Sequence, residues 1–397
     1  MNHSFFSRKK FISKVFQTSA IFSLSPVLGK LYAYGKEESL MFRQDPFLYA
    51  ESLGLKKTLE KIILTATLSP NSHNTQPWKI KIESDSSFLL YGDENRTLPA
   101  IDPINRQFYH TQGTYLGLAK LAAAAQGYDS KISLFPKGIP STKQMNVLPV
   151  ARFQISPRKQ QTQDPLFSFL PKRQMNRSEY SGDWITEDES KELESLTSPS
   201  SIQLKFILGE DRIQPYLPFL INSFAMETNL KAQNEVTRVW FRKESEDVYS
   251  KRDGLSLEGN GISGLKAWVA KKFFLDLSYE GWHSEASKNA SIDLFKSQAK
   301  SSKGLVFFIT KGNDDAKEWI QTGMDFMRFT LAAAGKDLAF HTMNQALEDY
   351  PESSVFYNEI KSKLGLQKKE RIQLLGRLGR SDYHYESPRR DLKEILI

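Results

Sequence analysis

The 397-residue chain contains no cysteine. That absence excludes disulfides, thiolate nucleophiles, iron–sulfur clusters and cysteine-ligated zinc. Histidine is scarce as well. The six histidines (His3, His73, His110, His283, His341 and His384) lie far apart, without the HExxH spacing, and a bound transition metal is not expected. Long runs of lysine and arginine are also missing. The 54 basic and 46 acidic residues leave a net charge of +8, but the basic ones are dispersed. That speaks against the clustered basic face of a nucleic-acid binder, while remaining compatible with an anionic ligand. Nor is there a long apolar run. The N-terminal stretch "VFQTSAIFSLSPVL" carries polar residues and Pro26, and is too short and weak to span a membrane.

What precedes that stretch is informative. "SRKKFISK" (Ser7 to Lys14) is basic, and with the apolar segment after it reads as a signal peptide with cleavage near Ala33. More narrowly it resembles a twin-arginine signal, with Arg8-Lys9 in place of the usual arginine pair and Phe11-Ile12 as the apolar pair. An ordinary secretory signal or a basic N-terminus are the alternatives. Twin-arginine export carries folded proteins, often with a cofactor inside, so the resemblance implies a periplasmic protein. The chain as a whole is 40% apolar and 12% aromatic, enough for a substantial core in one large or two ordinary domains.

Residues 56–68 show helical spacing and stop at Pro70. "WKIKIES" and "SFLLYGD" read as strands, "TQGTYLGLAKLAAAAQGYD" as a buried helix, and "DSKISLFP" and "PVARFQIS" as further strands. "PRKQQTQDP" (157–165) is a polar linker. A second series follows: the helix "TEDESKELESL" with Thr186 as N-cap, the strand "SIQLKFIL", a helical region over about 212–248, the strand "SSKGLVFFITKG" and the long helix "DAKEWIQTGMDFMRFTLAAAGKDLAF". The two Ala-rich helices align without a gap from Gly113 and Gly323, placing Leu121 to Ala124 on Leu331 to Ala334. "LSPNSHNTQPWKIKI" likewise matches "LTSPSSIQLKFIL" in element order. The expectation is an α+β chain of two tandem, diverged copies packed as a dimer within one chain. A targeting segment spans 1–40, the first copy 41–156, and the second copy, with a helical insertion, 166–397. Such a chain is expected to be a monomer or a weak oligomer.

The stretch "SPNSHNTQPW" (Ser69 to Trp78) concentrates amides and hydroxyls between two prolines. Pro70 and Pro77 fix the backbone, while Asn71, Ser72, Asn74 and Gln76 offer donors and acceptors of both kinds. These suit the edge of a planar heterocycle, and they suit equally a helix-capping loop with ordinary Asn turns. A further motif, "GNGISG" (Gly259 to Gly264), fits G-x-G-x-x-G but does not follow an apolar strand, so it reads as a flexible loop within the insertion.

The decapeptide closely resembles the S-P/S-x-x-N-x-Q-P-W loop of the nitroreductase-like flavoproteins, in which that loop reaches across the dimer to a flavin held mostly by the other subunit. The resemblance implies that Pro70, Asn71, Ser72, Asn74 and Gln76 contact FMN. It also implies a clamp for the phosphate. "KRQMNRSEY" (Lys172 to Tyr180) supplies Arg173, Met175, Asn176 and Arg177, and "SPRRDLKEIL" supplies Arg389 and Arg390. "MFRQDPFLY" of the first copy is a poor match to such a clamp. One FMN per chain, at the seam between copies, is therefore expected. "RTLPAIDPINRQF", "KRDGLSLEGNGISGL", "MNQALE" and "PRRDLKEIL" resemble the single-chain Acg-like subgroup over residues 50–397. There, backbone equivalent to Met343, Asn344 and Gln345 approaches flavin N5. The implied activity is an FMN oxidoreductase with ping-pong hydride transfer from a small-molecule donor to a small acceptor, with no catalytic side chain required. The alternative is a non-catalytic FMN-storage protein whose flavin is covered by a lid.

Overall fold

The computed structural model describes residues 26–159 and 164–397. The basic part of the expected signal lies outside the described residues. The expected cleavage position, Ala33, falls within a helix, Pro26–Gln44.

Among the described residues the strands form two four-stranded antiparallel sheets of the same order. The first is β1 (Trp78–Ser84), β2 (Ser87–Gly92), β4 (Ala151–Pro157) and β3 (Tyr128–Leu134); the second is β5 (Gln203–Leu208), β6 (Gly304–Thr310), β8 (Arg371–Gly379) and β7 (Ala339–Thr342). In each, the second strand leads into a 20-residue helix and then the third strand: Arg106–Ala125 in the first half, Ala316–Gly335 in the second. A helix also precedes each first strand: Thr58–Ala66 and Glu187–Thr197. The latter begins at Thr186, whose hydroxyl accepts from the Glu189 N–H in a capping box. The halves differ between their first two strands. The first half has only the turn Asp85-Ser86 there, and the second has the helical insertion of residues 209–303.

The two long helices pack directly on each other, which is why both are Ala-rich and buried nearly all round. They cross at Gly113 and Gly323. A Cβ on Gly113 would lie 2.1 Å from the Ile320 carbonyl oxygen and 2.9 Å from the Gly323 Cα; a Cβ on Gly323 would lie 2.1 Å from the His110 carbonyl oxygen and 2.9 Å from the Gly113 Cα. The contact is reciprocal, each glycine meeting the carbonyl three residues before the other. One apolar core spans this crossing, joining Leu64, Leu68, Leu118 and Leu121 to Phe326, Met327, Phe329 and Phe340. The C-terminal segment then crosses back, and the Ile397 N–H donates to the Ile80 carbonyl on the edge of β1 at 2.9 Å.

In the second half the turn matching Ser69–Trp78 is short and tightly bound. The buried Asp325 carboxylate accepts from the backbone N–H and hydroxyl of both Ser200 and Ser201, at 2.7–3.0 Å. Asp325→Ala is expected to lower stability by about 2–3 kcal/mol, because buried donors lose their acceptor. Urea unfolding checks this, and an unchanged midpoint would refute it.

Candidate functional site

Each half contributes to one large cavity of about 760 Å³. Pro70, Asn71, Ser72 and His73 line it from the first half, together with Gln107, His110, Thr111 and Thr114 of the crossing helix. Met175, Arg177, His341, Asn344, Gln345 and Glu348 line it from the second. The insertion completes the wall with an apolar set that includes Phe241, Leu257, Ile262, Phe274, Trp282 and Phe295. A volume of this size, with a mostly apolar wall and a few polar groups, is typical of a small-molecule or cofactor site.

The loop from Ser69 owes its shape to backbone conformations that side chains rarely adopt. His73, Asn74 and Gln76 all have positive φ, at 50°, 52° and 51°. Asn tolerates this region, but His and Gln are held there against a cost. Asn71 folds the loop on itself, its Oδ1 accepting from the Gln76 N–H at 2.9 Å. Thr114 donates its hydroxyl to the Pro70 carbonyl at 2.7 Å, and Gln112 donates to the Pro77 carbonyl at 2.8 Å. Trp78, fully buried, packs on Tyr115 and anchors the start of β1.

The structure divides the expected flavin contacts in two. Pro70, Asn71, Ser72, Met175, Arg177, Asn344 and Gln345 face the cavity. Asn74, Gln76, Arg173, Asn176, Met343, Arg389 and Arg390 do not line it. Gln76 instead ties the insertion to the C-terminal segment: its Nε2 donates to the Arg252 carbonyl at 2.7 Å, and its Oε1 accepts from the Arg390 N–H at 2.8 Å. Asn176 bonds Ser178 and the Tyr383 carbonyl. Met343 is in the core beneath the second sheet. Arg390 lies near the carboxylates of Asp93 and Glu394, at 3.9 and 3.5 Å. Asn344 also serves the sheet, since its Oδ1 accepts from the Leu375 N–H at 2.9 Å.

Arg173 and Arg389 belong to a second feature. They pack beside Arg43, and all three guanidinium groups are buried, at 2%, 7% and 3% exposure respectively. Arg43 donates to the Arg173 carbonyl at 3.1 Å and to the Ser387 hydroxyl at 3.1 Å. Arg389 donates to the Thr67 carbonyl at 2.6 Å, the Ser387 hydroxyl at 2.7 Å and the Asn74 Oδ1 at 3.1 Å, and Arg173 to the Leu68 carbonyl at 2.9 Å. Among the described residues none of the three forms an ion pair. Nε of Arg43, and Nε and Nη1 of Arg173, have no acceptor. Burial, and then the neighbouring Arg43, pull the Arg173 guanidinium down to about 9; burial, Arg43 and Arg173 also depress Arg389. Three buried cations without a direct ion pair, with Glu386 the one carboxylate acting on Arg43 from farther off, and holding unused N–H groups, are a suitable donor set for a phosphate dianion. The cluster lies against the turn Thr67–Ser69, and the next two residues, Pro70 and Asn71, line the cavity.

Sequence reasoning passed over Arg43, the cavity histidines and two carboxyls, Glu227 and Glu348. Arg43 had no local signal, because its partners Arg173 and Arg389 are distant in sequence. His73, His110 and His341 all line the cavity. Burial, followed by the charge of nearby arginines, lowers each: His73 to about 4, the other two well below the usual value. At neutral pH they are uncharged. The sign for stability follows: their contribution is present above about pH 6.5 and is lost as pH falls, because the unfolded chain takes up protons that the folded one refuses. Urea midpoints should therefore drop between pH 6.5 and 4, and His73→Asn should reduce the drop. Equal slopes in the two proteins would refute the assignment to His73.

"GNGISG" is not preceded by a strand. It forms a short turn, Glu258–Asn260, ahead of the helix Gly264–Phe273. Gly261, at φ 83°, lies so close to the backbone of Arg177 and Ser178 that a Cβ would come within 2.7 Å of the Ser178 Cα. Only glycine fits there, and its role is to seat the insertion on the Arg177 turn. No helix among the described residues is long and apolar enough to cross a membrane, and no group of three or more His, Asp or Glu among them could hold a metal ion.

No family model matches the chain. Over 82 residues, 20% of its length, it is 33% identical to an uncharacterized protein of Mycobacterium tuberculosis. Over 80 residues it is 29% identical to another protein of that organism, named "Putative NAD(P)H nitroreductase". These matches cover 24% and 23% of the two proteins, so the chain aligns with about a quarter of the length of its curated relatives. Among solved structures, that of a "putative nitroreductase" from Anabaena variabilis is similar at a TM-score of 0.48, with 11% identity, over 81% of this chain and 87% of that one.

Proposed function

We propose that this chain is an FMN-dependent oxidoreductase of the nitroreductase type, built from two diverged copies of one α+β unit and holding one FMN at their seam. The observation that carries the reading is the trio Arg43, Arg173 and Arg389, buried without a direct ion pair beside a cavity edged by the Ser69–Trp78 loop. These arginines would hold the phosphate. Pro70, Asn71 and Ser72 from one copy, and Asn344 and Gln345 from the other, would face the ring. When bound, FMN would supply two-electron redox chemistry, while the protein supplies orientation, electrostatics and exclusion of water. Arg177 is a cation at the cavity wall, with its Nε 3.3 Å from the His341 Nε2, placed to stabilise negative charge developing on a bound ring. The similarity to a protein named as an NAD(P)H nitroreductase supports a nicotinamide donor and a small quinone-like or nitroaromatic acceptor, used in turn at one site.

The N-terminal sequence supports export to the periplasm. A second reading, storage of FMN without turnover, is favoured by one observation: the insertion, residues 209–303, forms much of the cavity wall. Purified protein, reconstituted with FMN, separates the two. Yellow protein bleached by both NADPH and dithionite supports the oxidoreductase, and bleaching by dithionite alone supports storage. Protein that stays colourless refutes both.

A further inference from the structure

Two carboxyl groups meet at the cavity wall. Glu227, from the helix Leu217–Asn229, and Glu348, three residues beyond Gln345, are each 7% exposed, and both line the cavity. Their carboxyl groups are near neighbours, within reach of a hydrogen bond once one of them carries a proton. An ionised carboxylate only accepts, so two of them cannot bond without a proton between them. Oε2 of each is buried without a hydrogen-bond partner, so no donor is present there to satisfy an ionised oxygen. Among the described residues neither carboxyl forms an ion pair with a lysine or arginine.

The groups facing the pair reinforce this. Gln107 donates its Nε2 to Glu348 Oε1 at 3.4 Å, and its own Oε1 accepts from the Ser72 hydroxyl at 3.1 Å. The pair is thereby linked to the loop at the ring edge. Asp102 adds negative charge from one side. Tyr350 lies beside Glu348 on another side, its buried hydroxyl without a hydrogen-bond partner, with Glu352 beyond it. Burial is the main cause that raises both carboxyls above their ordinary range, Glu348 the more strongly because Glu227 repels its charge.

We propose that Glu348 and Glu227 form a proton-sharing catalytic pair that protonates the acceptor as it is reduced in this cavity. The proposal rests on the redox reading above. With a quinone as acceptor, bound reduced FMN would supply two electrons and one hydrogen together, as hydride. One carbonyl oxygen forms an O–H bond as the carboxyl O–H bond of the pair breaks. The pair is left with one more negative charge and recovers a proton from water, while the second hydrogen of the quinol arrives with the electron pair as hydride. A one-electron acceptor such as ferricyanide needs no proton, so the pair has no part in its reduction.

Three measurements on the full chain test this. In the FMN-free protein at pH 7, the infrared spectrum should contain a protonated-carboxyl band that shifts in heavy water and is lost in Glu348→Gln. Its absence from the wild type overturns the shared proton, whether or not the variant folds. In the FMN-loaded, dithionite-reduced protein, Glu348→Gln and Glu227→Gln should slow reoxidation by a water-soluble benzoquinone by about 10²-fold, leaving ferricyanide reoxidation unchanged. Equal slowing with both acceptors overturns the acid role and makes the pair structural. Finally, both carboxyls have raised folded values, so their contribution to stability is complete below about pH 4.5 and is lost as pH rises. Glu348→Gln should flatten the alkaline fall in urea midpoint, and an unchanged slope counts against the pair. A protein with the infrared band that takes up no FMN would overturn the redox reading, and the acid role with it, but not the shared proton.

Discussion

Replacing Arg173 and Arg389 together by alanine is expected to weaken FMN binding by about 10²- to 10⁴-fold. Each guanidinium would contribute a charge-assisted hydrogen bond to phosphate worth about 1.5–3 kcal/mol, and about 1.4 kcal/mol is a factor of ten in affinity. Flavin fluorescence titration reads the loss directly. Arg173→Lys is the informative partner variant, since it keeps a charge but loses the planar fork that meets two phosphate oxygens at once. The double variant also relieves repulsion among three buried cations, so the FMN-free protein should keep its fold by circular dichroism. Full flavin occupancy in the double variant would refute this placement of the phosphate. The sequence pattern assigned Arg173 and Arg177, with Arg389 and Arg390, to this task. The structure gives Arg389 the company of Arg173 and Arg43, and turns Arg177 toward His341 and the Gly259 carbonyl at the cavity wall. Arg177→Ala should accordingly shift the flavin absorbance and potential more than its affinity.

Gly113→Ala and Gly323→Ala are each expected to lower stability by about 3 kcal/mol, near the upper end for overpacking. In both, the added methyl meets backbone at 2.1 Å, and backbone cannot rotate away as a side chain can. The helices would have to separate, opening the core that joins the halves and the cavity above it. Gly117→Ala is the control. Its nearest neighbours lie at 3.2 Å, so a small adjustment accommodates it at lower cost. Urea unfolding ranks the three, and a Gly113→Ala protein as stable as the wild type would mean that the helices do not cross where the structure places them.

The repeat of glycine and Ala-rich helix was visible in the sequence because that crossing is a local demand. A residue without a side chain must recur at the same helical position in both halves. Most strands were legible for a similar reason, as alternation in "WKIKIES" and apolar runs in "SFLLYG" and "GLVFFIT" report which faces are buried. Other elements were not. The helix from Arg106 begins five residues before the expected Thr111, since Asp102 caps it by accepting from the N–H groups of Gln107 and Phe108, farther along than an ordinary cap reaches. The helix from Ala316 stops at Gly335, and Asp337, at φ 53°, turns the chain so that "AFHT" becomes β7. β8, "RIQLLGRLG", went unrecognised: it is interior and buried on both faces, which erases alternation.

By itself the sequence determined the absence of thiol chemistry, the α+β class, the order of most elements and the loop chemistry from Ser69 to Trp78, because each depends on residue type or short-range spacing. Tertiary structure alone decided what those groups face. Gln76 and Arg390, singled out from sequence as cofactor contacts, are used to join the insertion and the C-terminal segment to the loop, while Arg43, Glu227 and Glu348 arrive from unrelated segments. Burial and mutual charge are properties of a three-dimensional neighbourhood. No spacing along the chain encodes that three guanidinium groups share one dry site, or that two carboxyls share one proton.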